Sequence, residues 1–270
     1  MRRLLQPIYG LYSAVALLAT ILVFAPFVLL MPTLALRRWC GRTFMRVAMA
    51  MALVPVRIRG RQHLPKDACI VVSNHSSYLD GPLLTGALPS RFTFVVQAGA
   101  ATWPFFGPVI RRMGVAFVDR GVARTGSAQT RELIRRLEQG QSLTIFPEGT
   151  FEAEPGLLAF RKGAFLMAAH AGVPVVPTVI RGSRALFGEG SLLLHWNPVE
   201  IEFFPPQRAP GDHRHAAPAL LETARAVVLA NCGEPDASLS RAAENSLSRA
   251  AENSLSRAAG NSLSPERGEG

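Results

Sequence analysis

The stretch from Leu4 to Leu36 contains no charged residue, and this constrains the fold more than any other feature. An apolar helix needs about 20 residues to cross the ~30 Å hydrocarbon core, so this stretch is long enough to enter a bilayer. Pro26 and Pro32 allow either one kinked membrane helix or a re-entrant helical hairpin. We therefore predict that residues 1–40 form a membrane-anchoring segment.

A cleaved signal peptide is the alternative, since Arg2 and Arg3 resemble its basic amino-terminal region. The apolar part of a signal peptide is only about 7–15 residues long, and no clean small-residue cleavage site follows here. The stretch is followed by four arginines, Arg37, Arg38, Arg42 and Arg46. Because positive residues stay on the cytoplasmic side, they predict that the region after the apolar stretch lies on the cytoplasmic face of the inner membrane.

The charge of the chain favours an anionic membrane as a partner. The formal net charge is +10, but the basic residues are scattered, and no block of five or six like charges occurs. Without such a block, or an aromatic and basic platform, nucleic acid is not an expected partner. Cys40, Cys69 and Cys232 are widely spaced and belong to no convergent set of His or carboxylate ligands. We expect reduced thiols, no metal site and no cofactor.

Strand-like and helix-like segments alternate along residues 41–232, which we predict to be one domain. Strands are expected at 56–59, 70–72, 92–96, 115–118, 143–146 and 175–180, with β-like pieces at 192–195 and 199–204. Helices are expected from a cap at Asp80, then near 104–113, 130–139, 163–171 and 216–229. This alternation predicts an α/β fold with a single mixed, largely parallel sheet flanked by helices.

The carboxyl-terminal residues 233–270 contain a polar octad repeat, Ser-Leu-Ser-Arg-Ala-Ala-Glu-Asn from Ser238. One leucine per octad cannot bury a core, so we predict a disordered tail that is dispensable from Pro235 onward. A short solenoid is the alternative, but so few polar units cannot stack into a stable core.

His75 and Asp80 follow the strand-like run 68–72 and are separated by a Ser-Ser-Tyr-Leu segment that can turn. A histidine oriented by a carboxylate can remove the proton of a hydroxyl, which is worth about 10²–10⁴ in rate. If the group that the hydroxyl attacks is already activated, as a thioester is, no nucleophilic Ser or Cys is needed. An isolated pair at this spacing is more often a strand-end histidine and a helix cap.

Three later segments are each open to a structural interpretation when taken alone. One is typical of a turn because it contains Pro and Gly: Phe146-Pro147-Glu148-Gly149-Thr150. Another, the run 114–120, is typical of a strand that ends in a surface ion pair, Asp119-Arg120. The run 173–177 reads as a buried strand between prolines.

In this order, however, the segments resemble the lysophospholipid and glycerol-phosphate acyltransferase family, which contains 1-acyl-glycerol-3-phosphate acyltransferase. Phe160-Arg161-Lys162-Gly163, between the last two of them, is also similar to the family pattern. The resemblance implies transfer of an acyl chain from acyl-CoA or acyl-ACP (acyl carrier protein) to a lysolipid hydroxyl. It implies His75 as general base and Asp80 as its orienting partner. Substrate-binding positions implied by the resemblance are Asp119, Arg120, Phe146, Pro147, Glu148, Gly149, Thr150, Arg161 and Lys162.

Two departures from the family pattern leave the acceptor open. Phe151 stands where phosphatidate-forming members usually carry arginine, and the segment 96–99 lacks their common lysine. Both cations would ordinarily meet a phosphate. Arg120 remains, and compensating cations could come from Arg111, Arg112, Arg161, Lys162, Arg181 or Arg184. The first expectation is 1-acyl-glycerol-3-phosphate, and the alternative is another lysolipid such as lyso-ornithine lipid.

Two non-enzymatic functions also remain open. One is a lipid-binding relative that keeps the fold without catalysis, although His75, Asp80 and Glu148 are all intact. The other is a basic module held at the membrane surface by charge alone, which high salt would release because exposed charges are screened.

Overall fold

The computed structural model describes residues 2–104, 106–118, 123–209 and 216–238, without the side chains of 2–4 and 123–127. The strands are β1 Val56–Arg59, β2 Ile70–Ser73, β3 Phe92–Gln97, β4 Ala116–Val118, β5 Ser142–Ile145, β6 Val175–Arg181 and β7 Val199–Phe203. The helices are α1 Arg2–Leu30, α2 Leu34–Met51, α3 Asp80–Ala87, α4 Phe106–Arg112, α5 Ala123–Glu138, α6 Gly163–Ala171, α7 Ser183–Phe187 and α8 Ala217–Cys232.

The strands form one sheet in the order β1-β7-β6-β2-β5-β3-β4. β6, β2, β5, β3 and β4 run parallel, whereas β7 runs antiparallel to β6, and β1 runs parallel to β7. The predicted single mixed, largely parallel sheet is confirmed. β2 lies between β6 and β5, so its carboxyl end, which leads to His75, lies near the middle of the sheet edge.

Helices cover both faces of the sheet, which explains why every residue of β2 is buried. On one face, α5, α6 and α8 enclose a core that includes Leu143 and Phe165. On the other face, α2 and α3 enclose a core that includes Leu84 and Ile201. The two cores hold the strand ends in fixed positions, so the loops that follow the strands can carry precisely placed side chains.

α1 and α2 form a helical hairpin, which extends beyond the stretch from Leu4 to Leu36 in which we predicted either one kinked helix or a hairpin. The Thr33 hydroxyl accepts a hydrogen bond from the Leu36 N–H and caps the start of α2. Near the start of α1, the Tyr9 and Tyr12 hydroxyls donate to the carbonyls of Ala52 and Met51, so the two helices run antiparallel. Residues 5–30 of α1 are long and apolar enough to cross a membrane, with mean hydropathy 2.5.

Arg38, one of the four arginines behind the orientation prediction, lies inside the protein. Its guanidinium donates to the Thr93 hydroxyl at 2.6 Å and to the Met113 carbonyl at 3.0 Å. Burial, and then the charge of Arg136, lower its pKa. Arg38 therefore joins the α1–α2 hairpin to the sheet, and α2 continues across the boundary that we predicted at residue 40.

Three sequence predictions are wrong in detail. Leu192–His195 is a loop rather than a strand: it buries Leu194 in the core while Leu192 stays exposed. Asp80 is the first residue of α3 and not its cap, because its side chain accepts hydrogen bonds from the turn before the helix. The helix predicted at 130–139 begins earlier, at Ala123.

The predicted tail also begins too early. Residues 234–237 are held against the domain by side-chain and backbone hydrogen bonds. Residues 239–270 lie outside the described residues, so their disorder stays a prediction.

Candidate active site

His75 and Asp80 are in direct contact at the carboxyl end of β2. Nδ1 of His75 lies 2.9 Å from Oδ2 of Asp80, and the same oxygen accepts the N–H groups of Ser76 and Ser77 at 2.7 and 2.8 Å. Because a carboxylate only accepts hydrogen bonds, Nδ1 carries the hydrogen, and Nε2 of the neutral ring is left as an acceptor. Asp80 is fully buried, whereas the His75 side chain keeps 19% of its exposure. An imidazole in this state can accept a proton at Nε2.

The turn that carries His75 is fixed by short-range and long-range hydrogen bonds. The Asn74 amide both donates to the Ile180 carbonyl at 2.9 Å and accepts the Ile180 N–H at 2.8 Å, which ties the end of β2 to β6. The Ser77 hydroxyl donates to the Phe187 carbonyl at the end of α7. The polar residues around the histidine thus serve to fix its backbone, a role that we did not predict for them.

Glu148 connects the turn of His75 to a second loop. One carboxyl oxygen accepts the His75 N–H at 2.7 Å, and the other accepts the Leu158 N–H at 2.7 Å. Only 3% of Glu148 is exposed. Although we predicted that Glu148 contacts substrate, its side chain is buried and engaged with the backbone. Glu148 therefore holds the backbone of His75 in place.

Aromatic rings enclose the histidine. Phe146 stacks on the imidazole with ring centroids 4.2 Å apart, and Phe151 lies tilted against it at 4.6 Å. Tyr78 meets Phe151 edge to face at 4.7 Å. Phe151, which occupies the position of an expected cation, therefore forms part of an apolar wall beside the imidazole instead of a phosphate contact.

The turn after β5 brings Arg161 over Gly149. Gly149 has φ +80°, a left-handed conformation that favours glycine, and a Cβ there would lie 2.8 Å from Nε of Arg161. The Arg161 N–H donates to the Pro147 carbonyl at 2.8 Å. Thr150, Arg161 and Lys162 are exposed on this side of the site. Asp119 and Arg120 lie outside the described residues, so their substrate contacts stay predictions.

Comparison with known proteins assigns the domain to a family. Residues 55–181, from just before β1 to the end of β6, match the family described as Acyltransferase. The chain contains an acyltransferase-family domain. The resemblance predicted from the motifs is thereby confirmed, and the acyltransferase domain includes every described site residue.

The relatives of this acyltransferase domain carry two kinds of name. The chloroplastic 1-acyl-sn-glycerol-3-phosphate acyltransferase of Arabidopsis thaliana is 32% identical over 192 residues, which cover 68% of this chain and 53% of that protein. Lysophosphatidylcholine acyltransferase 1 of Rattus norvegicus is 33% identical over 183 residues, 61% of this chain and 33% of that protein. This chain thus spans about half the length of the first of these relatives and a third of the second.

The fold is also similar to a solved acyltransferase. The 1-acyl-sn-glycerophosphate acyltransferase of Thermotoga maritima superimposes with a TM-score of 0.68 at 25% identity. The match covers 84% of this chain and 96% of that one.

A carboxyl-terminal clasp, residues 234–237, holds the loop that Glu148 binds. Glu234 forms a two-pronged ion pair with Arg184, with both N–O distances 2.8 Å, and also accepts the Gly156 N–H. The backbone of Leu157 donates to the Pro235 carbonyl and accepts the Ala237 N–H. Because the next residue, Leu158, donates to Glu148, the acyltransferase domain has a continuous connection from the clasp to His75.

Burial raises the pKa of the Glu148 carboxyl to about 8, although the N–H groups of Leu158 and His75 oppose the rise. Between about pH 4.5 and pH 8 the folded protein then holds a proton that the unfolded chain has released, so stability falls as pH rises. Glu148→Gln cannot titrate. We expect the stability of the wild type, relative to this variant, to fall by on the order of 3 kcal/mol from pH 5 to pH 8.5.

Thermal unfolding of both proteins in detergent across this pH range measures the difference in stability between wild type and variant. The other titrating groups are the same in both proteins, so their contributions cancel in this difference. Stability curves that run parallel for wild type and variant would contradict the prediction.

Proposed function

We propose that the protein is a membrane-anchored O-acyltransferase that moves a fatty acyl group from a thioester to the hydroxyl of a lysophospholipid. The single observation that supports this most is the His75–Asp80 pair, which leaves Nε2 of a neutral imidazole available within an acyltransferase-family domain. The carboxyl end of β2 and the turn that follows it both lead to this histidine, which lies within the residues that match the family.

The proposed reaction uses His75 twice. As the acceptor hydroxyl attacks the thioester carbonyl, its proton moves to Nε2, and Asp80 stabilises the imidazolium that forms. The tetrahedral intermediate then collapses, the carbon–sulfur bond breaks, and the imidazolium returns the proton to the leaving thiolate. The products are an ester and a free thiol, and no metal or cofactor enters the step.

The acceptor that we propose first is 1-acyl-glycerol-3-phosphate, which would yield phosphatidic acid. Arg161, which lies against Gly149, and its neighbour Lys162 are both exposed, and we propose them as the cations that meet the phosphate. Arg181 and Arg184, which we considered as compensating cations, pair instead with Glu200, Glu202 and Glu234. Because Phe151 stands in the apolar wall where a phosphate-binding arginine was expected, another lysolipid such as lyso-ornithine lipid stays the alternative acceptor.

Membrane attachment is proposed through α1. Its apolar residues stay largely exposed along the helix, including Leu5, Ile8, Leu18 and Leu22. A surface of this kind is stable in hydrocarbon and costly in water. With Arg42 and Arg46 following, we propose an inner-membrane location with the domain facing the cytoplasm, where acyl-CoA or acyl-ACP would serve as donor.

An acceptor screen tests this function directly. Purified full-length protein, one long-chain acyl-CoA and a panel of lysolipids with and without a phosphate monoester are incubated together, and free thiol and acylated lipid are both measured. We expect ester formation with at least one lysophospholipid and at least tenfold preference for phosphate monoesters. Repeating the panel with acyl-ACP identifies the donor. Thioester consumption no greater than with empty membranes, on every acceptor and both donors, would favour a non-catalytic lipid-binding protein.

A further inference from the structure

A groove lined by basic residues lies at the end of the sheet where β2 begins, whereas His75 lies at the end where β2 stops. The groove, with a volume of about 380 Å³, is bounded by the start of the segments that lead into β2 and β3, by the end of α3 and by α2. His75 follows the carboxyl end of β2, whereas the groove lies before its amino end. The groove is therefore separate from the candidate active site.

Four cationic residues line this basic groove: Arg42, Arg61, Lys66 and Arg91. The remaining lining is apolar, with Leu64 and Pro89 among it, and contains no carboxylate. None of the ion pairs found among residues 2–104, 106–118, 123–209 and 216–238 involves any of the four. So many like charges around one concave surface repel each other unless an anion lies between them.

Some of these cations are held in place by carbonyl groups. Arg91 donates to the carbonyls of Pro65, Lys66 and Asp67, and Arg61 donates to the Ala87 carbonyl at 3.2 Å. Carbonyl groups orient a guanidinium without neutralising its charge. The groove therefore has a fixed shape while its positive charge stays available to a ligand.

Among the four cations, Arg42 has an unsatisfied hydrogen-bond donor. Its Nε is buried and has no hydrogen-bond partner within the described chain. Burial first, and then Arg46 and Arg61, lower the pKa of Arg42. An unpaired buried donor costs free energy that a bound acceptor would recover. A phosphate offers several acceptor oxygens and a charge that matches a guanidinium.

The position of Arg42 on α2 relates the groove to the membrane anchor. Trp39 lies one helical turn before Arg42 and is 60% exposed, and exposed tryptophans are enriched where a bilayer meets water. α2 also packs against α1, the apolar helix. The groove thus lies on the element that follows the anchor, where phosphate groups of lipids are the most concentrated anions.

We propose that the groove of Arg42, Arg61, Lys66 and Arg91 is a phosphate-binding site, distinct from the catalytic site, that holds the headgroup of an anionic lipid. A bound headgroup would neutralise the mutual repulsion of the four cations and stabilise the junction between α2, α3 and the sheet. The lipid here is a structural ligand and not the acyl acceptor, because the groove and His75 lie at opposite sheet edges.

Thermal unfolding of the full-length protein in nonionic detergent tests the proposal. Three probes are added at constant ionic strength: short-chain phosphatidylglycerol, short-chain phosphatidylcholine and inorganic phosphate. We expect phosphatidylglycerol to raise the Tm of the wild type by about 3–5 °C, because a ligand that binds only the folded state stabilises it. The shift is lost in Arg42→Gln/Lys66→Gln, whose two side chains make no hydrogen bond found among the described residues.

The matched control is Arg57→Gln/Arg131→Gln, which removes the same charge from exposed positions outside the groove and keeps the shift. A shift with phosphatidylglycerol alone identifies the lipid headgroup, and an equal shift with inorganic phosphate identifies free phosphate. Equal shifts in the groove variant and the control, or no shift with either phosphate probe, overturn the proposal. If the double variant does not fold, Lys66→Gln alone, an exposed position, is compared with Arg57→Gln on the same criterion.

Discussion

Replacement of His75 by alanine is expected to lower the rate of acyl transfer by about 10²–10⁴-fold while the protein stays folded and membrane-bound. The imidazole is the group whose Nε2 can take the acceptor proton, and Asp80 contacts its other nitrogen at 2.9 Å. His75 belongs to neither of the two hydrophobic cores, so both stay filled when the imidazole is removed. Initial rates of thiol release and ester formation measure the effect, and Tm reports the folded state.

His195→Ala is the control for this substitution, because His195 is an exposed histidine in the loop before β7. We expect its activity to stay within about twofold of the wild type. Asp80→Asn separates orientation from chemistry, since the imidazole remains while its charged partner is lost. It should lower kcat far more than it changes KM. A His75→Ala protein with more than a tenth of the wild-type rate would refute the proposed mechanism.

Removal of residues 234–270 is expected to reduce kcat/KM at least tenfold and to lower Tm by about 10 °C, whereas removal of 239–270 changes neither. The shorter chain loses the Arg184–Glu234 ion pair, the Arg225–Asp236 ion pair and the two backbone hydrogen bonds of Leu157. Together these contacts contribute on the order of 3–5 kcal/mol, of which each kcal/mol corresponds to about 2–4 °C.

The effect on activity follows from the connection between the clasp and the histidine. Without the clasp, the loop that includes Leu157 and Leu158 is released, and Glu148 loses a fixed donor for one of its oxygens. To separate positioning from stability, both truncations are assayed well below the lower Tm, with Glu234→Gln as a single-residue version. The clasp has no positioning role if the longer truncation keeps full kcat there.

The sheet could be predicted because its central strands are continuous apolar runs bounded by turn residues. β2 and β6 are buried on both faces, and such runs are recognisable without any tertiary information. The strand predicted at 192–195 is a loop, because its leucines make contacts with residues that are distant in the sequence, which the local pattern cannot show. Leu193 packs on Gly10 of α1, which is distant in the sequence.

The candidate site could be predicted only where it is local. The six residues from His75 to Asp80 form a single turn, so the spacing allowed their contact to be proposed. Glu148 and His75 are 73 residues apart in the sequence, and Arg184 and Glu234 are 50 apart. No periodic pattern in the sequence predicts either contact. From the sequence, Glu148 suggested a substrate contact and Glu234 suggested part of a polar tail. Their backbone and guanidinium partners are evident only in the folded chain.

The aromatic wall beside His75 has a consequence for side reactions. Phe146 stacks on the imidazole, Phe151 lies tilted against it, and Tyr78 packs edge to face on Phe151. A water molecule that reached Nε2 would be activated as readily as a lipid alcohol and would waste the thioester by hydrolysis. In the proposed reaction, these apolar side chains would favour a lipid alcohol over water as the nucleophile, so hydrolysis of the thioester would be limited by solubility as well as by reactivity.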